Sequence, residues 1–244
     1  MDIINQYTAV DRDLFLLQSP HRKFIFHSES LSLYEVDSLD ASIILDVKKD
    51  VKKKILEINN DKICYLFMTN KCNMKCSYCC QSSNIQPISL SSKEKVDILI
   101  ANYRNDKNLK LVFFGGEPLL KFEEISNIVY ELDKTIENIE YHIVTNGTLI
   151  SRDIIKYFKE HQFHITISID GNKKNNDLNR VFIDDSPSFD IVDRNIYELL
   201  NANLLTTFSV TATMNTIPCI NDSINYLIEH YKNRKIIVNF DLLD

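Results

Sequence analysis

The sequence predicts an α/β fold in which a parallel sheet built from β/α units follows a small N-terminal α+β appendage. From about residue 61 to the end of the 244-residue chain, short apolar runs alternate with amphipathic segments. All four glycines follow predicted strands, and four of the six cysteines fall within nine positions. The chain is therefore expected to carry a functional site at one edge of that sheet.

Residues 1–60 are expected to form the appendage, a small domain made of a hairpin and a helix. Phe24 and Phe26, and then Leu31 and Leu33, alternate on either side of the turn-like residues 28–30. The helix that follows would bury one apolar face and expose a lysine-rich face to solvent. The apolar face consists of Ile44, Val47, Val51, Ile55 and Ile58.

Residues 61–244 are expected to form the main domain, with strands near 63–69, 110–114, 141–145, 164–169, 207–214 and 235–240. Five helices are predicted between them, and the second carries an apolar stripe at helical spacing from Phe122 to Ile136. These units form either an open doubly wound sheet or a partial (β/α)6 barrel, which periodicity does not distinguish. In both, ligands bind at the carboxyl ends of the strands. No helix is expected after the sixth strand.

The charge distribution limits the classes of partner. The net charge is −6, and basic residues are interspersed with acidic ones, so neither a nucleic-acid surface nor an anionic lipid surface is expected. No apolar run reaches the roughly 20 residues that cross a bilayer, and residues 1–11 lack the pattern of a signal peptide. A cytoplasmic protein is therefore expected. In a reducing compartment, crowded cysteines bind metal more often than they form disulfides.

The glycines mark one rim of the predicted sheet. Gly115 and Gly116 follow the second strand of the main domain, Gly147 the third and Gly171 the fourth. Glycine is required where φ is positive or where another group lies against the backbone, although it also serves ordinary tight turns. Because all four converge on the carboxyl rim beside the cysteines, they favour a cofactor pocket. His142 and His164 fall on the opposite rim and are expected to be structural.

Cys72, Cys76 and Cys79 follow the first strand of the main domain and lie at the same rim. Thiolates are suited to iron–sulfur clusters and to zinc. A four-iron cluster on three cysteines leaves one iron without a protein ligand, as a catalytic site requires. A structural zinc site with Cys80 as fourth ligand has the right ligand count, but adjacent Cys79 and Cys80 would chelate one ion at strained geometry.

Four short motifs at the predicted strand ends resemble those of a known enzyme family. Residues 72–79, CNMKCSYC, resemble the CxxxCxxC signature of the radical S-adenosylmethionine (SAM) superfamily, and residues 115–118, GGEP, match its second motif. Residues 145–147, TNG, and 168–171, SIDG, resemble the subgroup that contains anaerobic sulfatase-maturating enzymes and SPASM-type peptide maturases. The resemblance covers residues 63–244 in motif order and spacing, and it implies a partial (β/α)6 radical SAM barrel.

The resemblance implies a 4Fe–4S cluster held by Cys72, Cys76 and Cys79, with SAM chelating the open iron. In the family, one electron from the reduced cluster cleaves SAM to methionine and a 5′-deoxyadenosyl radical, which abstracts hydrogen from the substrate. No further catalytic residue is expected. The substrate is expected to be a peptide or protein side chain, and the electron donor a protein such as flavodoxin or ferredoxin.

The resemblance also implies a set of SAM contacts. Tyr78 would lie near the adenine, and Gly115 and Gly116 would let the backbone approach the methionyl amino group. Glu117 would fix the strand end or accept a hydrogen bond from the ammonium group. Ser168 and Arg180 are candidates for the SAM carboxylate or ribose. Asn146 and Asp170 either join this site or only shape turns.

Two departures from the subgroup bear on function. Relatives carry an aromatic residue at the position of Cys80, and the C-terminal SPASM region with its auxiliary clusters does not follow Asp244. The leading hypothesis is a radical SAM enzyme that modifies peptides, with residues 1–60 as a reduced peptide-recognition domain. One alternative is a truncated or degenerate, non-catalytic accessory protein that binds cluster or peptide. The other is a zinc-binding interaction module.

Overall fold

The computed structural model describes residues 6–9, 14–18, 23–27, 32–36, 46, 49, 62–79, 90–105, 108–204, 206–213, 216–231 and 235–240. The chain divides into two compact units, Met1–Asp61 and Lys62–Asp244. Each unit has its own sheet.

The first unit contains a four-stranded antiparallel meander in the order β1-β2-β3-β4. Its strands are β1 (Gln6–Ala9), β2 (Leu14–Gln18), β3 (Lys23–His27) and β4 (Ser32–Val36). β3 and β4 pair where the sequence predicts a hairpin, whereas β1 and β2 were not predicted. The run LFLLQ of β2 lacks the alternation that marks a strand, and β1 has only four residues. Asp46 and Lys49 are helical, and the apolar face of the predicted helix lies outside the described residues.

The second unit is an α/β domain. Its six strands are β5 (Lys62–Phe67), β6 (Leu109–Phe114), β7 (Ile139–Thr145), β8 (His164–Ser168), β9 (Thr206–Ala212) and β10 (Lys235–Phe240). Its α-helices are α1 (Ser92–Tyr103), α2 (Phe122–Asp133), α3 (Arg152–Glu160), α4 (Lys173–Asn179), α5 (Phe189–Asn201) and α6 (Ile220–Tyr231). All six predicted strands are present.

The strand order decides between the two predicted architectures. All five neighbouring pairs are parallel, and the strands follow one another in sequence order from β5 to β10. A doubly wound sheet reverses its order at a switch point, whereas a β/α barrel adds each strand beside the previous one. The domain is therefore a partial β/α barrel, as predicted.

One α-helix more than predicted occurs among the described residues, because α4 and α5 both lie between β8 and β9. The sequence of α4, KKNNDLN, has no apolar stripe. Its start is instead stabilised by the Asn172 side chain, which accepts a hydrogen bond from the backbone N–H of Asn175 at 3.1 Å. Helical periodicity could not reveal such a segment.

The core lies between the sheet and its helices. Alternate residues of β8 and β9, such as Ile165, Ile167 and Phe208, are buried in one apolar cluster with residues of α2, α3 and α5. The residues between them, including Ser168 and Ser209, are half-buried on the other face of the sheet. In the part of the chain that the structure describes, no helix has the length and apolarity to cross a bilayer.

Candidate functional site

The loop that carries the three cysteines follows β5 and is fastened to the segment after α4. The backbone N–H of Lys75 donates to the carbonyl of Val181 at 2.9 Å, and that of Ser77 donates to the carbonyl of Asn179 at 3.0 Å. The Ser77 hydroxyl also donates to Asn179 Oδ1 at 2.7 Å. The loop therefore has defined backbone partners at its centre, and it holds Cys72, Cys76 and Cys79 half-buried at the carboxyl rim of the sheet.

The number of cysteines in this loop bears on which metal they suit. A structural zinc site takes four protein ligands, and Cys80, which would supply the fourth, lies outside the described residues. A four-iron cluster held by Cys72, Cys76 and Cys79 needs no fourth protein ligand when one iron stays open. The three described cysteines are therefore sufficient for a cluster with an open iron.

Polar donors surround the cysteine sulfurs. The backbone N–H of Met74 lies 3.3 Å from Cys72 Sγ, and Asn146 Nδ2 lies 3.7 Å from it. Arg180 Nη1 lies 4.0 Å from Cys76 Sγ. Burial raises the pKa of both thiols, whereas Met74 and Asn146 lower that of Cys72 and Arg180 lowers that of Cys76. These donors are placed to stabilise the negative charge that the sulfurs would carry as metal ligands.

A buried amide beside the cysteine loop has an unused hydrogen. Asn179 is 5% exposed, and its Nδ2 has no hydrogen-bond partner in the described part of the chain. Leaving such a donor unpaired costs about 1–3 kcal/mol. A cluster sulfide or a cofactor oxygen would satisfy it, so this orphaned donor is an independent sign that the site accommodates a polar group.

The two adjacent glycines lie where the loop after β6 touches the start of the cysteine loop. The N–H of Gly116 donates to the carbonyl of Thr69 at 2.7 Å. A Cβ on Gly115 would lie 2.5 Å from the carbonyl oxygen of Thr69, and one on Gly116 would lie 2.4 Å from that of Lys71. Gly115 also has a φ of +145°. Both positions therefore exclude side chains because two loop backbones pack directly together.

Glu117 is fully buried and connects the loop after β6 to the end of β7. Its Oε1 accepts hydrogen bonds from the N–H of Leu119 at 2.9 Å and the hydroxyl of Thr145 at 2.7 Å. Its Oε2 accepts from the N–H of Asn146 at 2.8 Å. Burial raises the pKa of Glu117, and these three donors oppose that rise. Of its two predicted roles, this geometry provides that of fixing the strand end.

Asn146 both shapes a turn and reaches the cysteine loop. Its Oδ1 accepts hydrogen bonds from the N–H and the hydroxyl of Thr148, at 3.0 and 2.7 Å. Its Nδ2 donates to Asn73 Oδ1 at 2.9 Å, beside its contact with Cys72. The two roles left open by the sequence are thus compatible in one side chain.

Asp170 joins the cysteine loop to Arg180 and β9. Its Oδ2 accepts from the hydroxyl of Tyr78 at 2.6 Å, and its Oδ1 accepts from the N–H of Thr211 at 3.1 Å. Arg180 Nε forms an ion pair with Oδ1 at 3.0 Å, and the guanidinium lies 5.2 Å from the centre of the Tyr78 ring. Asp170 therefore does more than shape a turn.

In this buried network the Arg180 guanidinium stays charged and the Tyr78 hydroxyl stays neutral. Burial raises the pKa of Tyr78, and Asp170 raises it further against the opposing effect of Arg180. Burial alone would lower the pKa of Arg180, but Asp170, Tyr78 and Cys76 more than offset this and raise it. A permanent cation is thus held beside Cys76.

Ser168 lies apart from these networks. It is half-buried at the end of β8, in register with Ser209 of β9. Its hydroxyl makes no side-chain hydrogen bond within the described ranges. The other predicted site residues are each linked to a neighbour by a hydrogen bond, an ion pair or close backbone packing. Ser168 is not linked to them; it lies on the face of the sheet opposite the apolar cluster.

Sequence reasoning missed three residues that hold the site together. Asn73 and Asn179 bond residues that are 73 and 102 positions away, and Thr145 reaches Glu117 across 28 positions. The available signals were that Asn73 and Thr145 belong to the CNMKCSYC and TNG motifs and that Asn179 precedes Arg180. Polar residues of this kind follow no periodic pattern.

Comparison with known sequences gives a consistent result. Residues 66–230 match the profile of the Radical SAM superfamily. An uncharacterized protein of Methanocaldococcus jannaschii is 32% identical over 73% of this chain and 61% of its own length. A cysteine-type anaerobic sulfatase-maturating enzyme of Clostridium novyi is 31% identical over 54% of this chain and 38% of its own. A radical SAM cyclopropyl synthase of Paramaledivibacter caminithermalis is 28% identical over 74% and 42%.

Solved structures agree on the fold. The sulfatase-maturating enzyme anSMEcpe with bound AdoMet superposes with a TM-score of 0.67 at 24% identity, over 74% of this chain and 50% of its own. Streptococcus suis SuiB bound to its precursor peptide SuiA gives a TM-score of 0.59 at 14% identity, over 96% of this chain and 63% of its own. The chain thus spans between about two fifths and about three fifths of the length of these relatives.

Proposed function

Because the chain belongs to the radical SAM superfamily, we propose that it is an enzyme that cleaves S-adenosylmethionine and abstracts hydrogen from a peptide or protein side chain. Enzymes of this superfamily use a 4Fe–4S cluster and SAM, the pair that the sequence motifs imply. The observation that carries the proposal is the cysteine loop: three cysteines on a backbone that is hydrogen-bonded to the segment after α4, beside an unpaired buried amide.

Cys72, Cys76 and Cys79 are the proposed iron ligands. Three protein ligands leave the fourth iron free for the amino and carboxylate groups of SAM. When bound, the cluster and SAM supply the one-electron chemistry that yields a hydrogen-abstracting radical. The chain itself contributes donors around the sulfurs, with Asn146 next to Cys72 and Arg180 next to Cys76.

The proposed SAM contacts fall into two groups, side chains that are available to bind SAM and side chains that orient them. Ser168 has a free hydroxyl, and Arg180 has a charged guanidinium, so these two are best suited to the SAM carboxylate or ribose. Tyr78 offers its ring beside them, and Asp170 orients both Tyr78 and Arg180. Asn146 would complete the pocket on the Cys72 side. Asn179 is added to this set because of its unpaired amide.

Gly115, Gly116 and Glu117 are proposed to act on SAM through the backbone. Their close packing against residues 69–71 fixes the loop after β6, and its remaining backbone groups would approach the methionyl amino group. Glu117 has three donors on its carboxylate already, so its contribution is to hold this loop rigid. Rigidity of the loop limits the positions that a bound cofactor can adopt.

A peptide substrate is proposed from the relatives. Sulfatase maturation and the SuiB complex with a precursor peptide are properties of those proteins. The fold match to SuiB covers 96% of this chain, which must include most of residues 1–61. The meander of the first unit has two edge strands in the described residues, β1 and β4, and an extended peptide could pair with either. We assign this unit to peptide recognition.

The reductant and compartment follow from the chemistry. A one-electron donor such as flavodoxin or ferredoxin would reduce the cluster. The five cysteines that the structure describes form no disulfide with one another, which suits the reducing cytoplasm where we place the reaction. Neither nucleic acid nor membrane has a part in the proposed reaction.

Release of 5′-deoxyadenosine tests the proposed activity. The full chain, reconstituted anaerobically with iron and sulfide, is expected to convert SAM to methionine and 5′-deoxyadenosine when dithionite is added. Chromatography of the quenched mixture measures both products, and omission of dithionite is the control. A protein that carries its full iron content and binds SAM but releases no 5′-deoxyadenosine would instead be the non-catalytic accessory protein.

A further inference from the structure

A second group of ligand-type side chains lies at the opposite rim of the sheet. The ligand atoms of Glu140, His142 and His164 are all within 4.8 Å of one another. We propose that these three side chains bind a divalent transition-metal ion of the zinc class, at a site separate from the cysteines. From the sequence, the two histidines were expected to be structural.

Sheet geometry explains why the three side chains meet. Glu140 and His142 are two residues apart on β7, so both project from the same face of the sheet. His142 is in register with His164 on the adjacent parallel strand β8. Their rings stack with centroids 4.5 Å apart, and His142 Nε2 lies 3.5 Å from Glu140 Oε2.

The donor set and its spacing suit such an ion. Imidazole nitrogens and a carboxylate oxygen are ligands that zinc accepts at about 2.0–2.2 Å, which places them about 3.4 Å apart around a tetrahedral ion. Ligand atoms within 4.8 Å would need to move inward by about an ångström, which side-chain rotations provide. Three protein ligands would leave one position for water.

Two of the three side chains border a cavity. Glu140 and His164 lie in the wall of a cavity of about 500 Å³, and the His142 side chain, which is not part of that wall, is 26% exposed. His161 lies in the same wall but is not one of the three clustered side chains, and its Nδ1 lies 3.2 Å from Asp133 Oδ2. It is therefore a neighbouring histidine that serves as a control for the proposed ligands.

A positive charge next to Glu140 opposes the ion. Lys110 of β6 is in register with Glu140 of β7, and its Nζ is 4.0 Å from Glu140 Oε2. A bound cation would have to share this carboxylate with the ammonium group. Removal of the lysine charge is therefore expected to strengthen metal binding, a change that damage to the fold could not produce.

The site is distinct from the cysteine loop. Asn146, which contacts Cys72, follows the carboxyl end of β7, whereas Glu140 lies near its start. Glu140 and Asn146 are six positions apart along this strand and its end, or roughly 20 Å. The proposal consequently does not depend on the proposed function.

Calorimetric titration of zinc chloride into the cluster-loaded full chain tests the site, with iron counted before and after. One zinc per chain is expected to bind without loss of iron. Loss of one of the three ligands in His142→Gln or His164→Gln is expected to weaken binding by roughly 100-fold. His161→Gln, the matched control, is expected to bind as the parent does, and Lys110→Gln several-fold more tightly.

Three results would overturn the proposal. The parent chain could bind no zinc once its cluster is in place. It could bind zinc only as iron is released, which would locate the metal at the cysteines. Finally, all four variants could bind zinc as the parent does, which would locate it elsewhere.

Discussion

Replacement of Cys76 by alanine is expected to abolish both cluster binding and 5′-deoxyadenosine release. Cys76 is one of three proposed protein ligands, so its loss leaves two thiolates for a four-iron cluster. Loss even of an outer-shell partner lowers metal affinity roughly 10- to 100-fold, and loss of a ligand costs more. Iron and sulfide analysis of the reconstituted variant, together with its visible absorbance, measures the effect.

Cys219 provides the matched control. It is a half-buried cysteine on the short 3-10 helix Ile217–Cys219 before α6, and it does not belong to the CxxxCxxC motif of residues 72–79. Cys219→Ala is expected to keep the parent's iron, sulfide and 5′-deoxyadenosine release. Equal iron content in the Cys76 and Cys219 variants would remove Cys76 from the ligand set.

Replacement of Gly116 by alanine is expected to displace the cysteine loop. The added Cβ would lie 2.4 Å from the carbonyl oxygen of Lys71, which also accepts a hydrogen bond from the N–H of Glu117 at 2.9 Å. Because the atoms in conflict are backbone atoms, no side-chain rotation relieves the clash. We expect a loss of about 3 kcal/mol of stability, or about 6–12 °C in Tm, and a loss of most of the bound iron.

Gly147→Ala is the control for the loss of stability that any glycine with positive φ shows when it is replaced by alanine. Its φ is +76°, and an added Cβ would meet Ile167 Cγ2 at 3.3 Å. Gly147→Ala should therefore cost about 1–2 kcal/mol through backbone strain while the iron content is retained. Thermal unfolding and iron analysis of both variants make the comparison. The idea of tight loop packing fails if Gly116→Ala retains the parent's iron and Tm.

The sequence was most informative where one physical rule governs a segment. The strands of the parallel sheet are buried runs of apolar residues, such as LKLVFF in β6, and they are recognisable without knowledge of their neighbours. The order of the motifs likewise predicted, from the sequence alone, that Cys72 and Asn146 lie at the same rim of the sheet. The helix α4 was not predicted because its residues are mostly polar and form no apolar stripe.

The roles of individual site residues depended on contacts that no local pattern contains. Glycine at 116 is predicted to let the backbone approach a cofactor, which stays a prediction, and its packing against a loop 45 residues earlier could not be foreseen from the motif. Asp170 could equally have been a turn residue, and only its three partners Tyr78, Arg180 and Thr211 show otherwise. The pairing of His142 with His164 depends on strand register.

The most direct test of a cluster with one open iron at these cysteines is an electron paramagnetic resonance spectrum of the reconstituted, dithionite-reduced chain, recorded with and without SAM and supported by iron analysis. We expect about four irons per chain and the signal of a reduced 4Fe–4S cluster, with a shape that changes when SAM is added because SAM binds the free iron. A colourless protein that holds zinc at these cysteines would contradict this expectation. So would a cluster signal that SAM leaves unchanged.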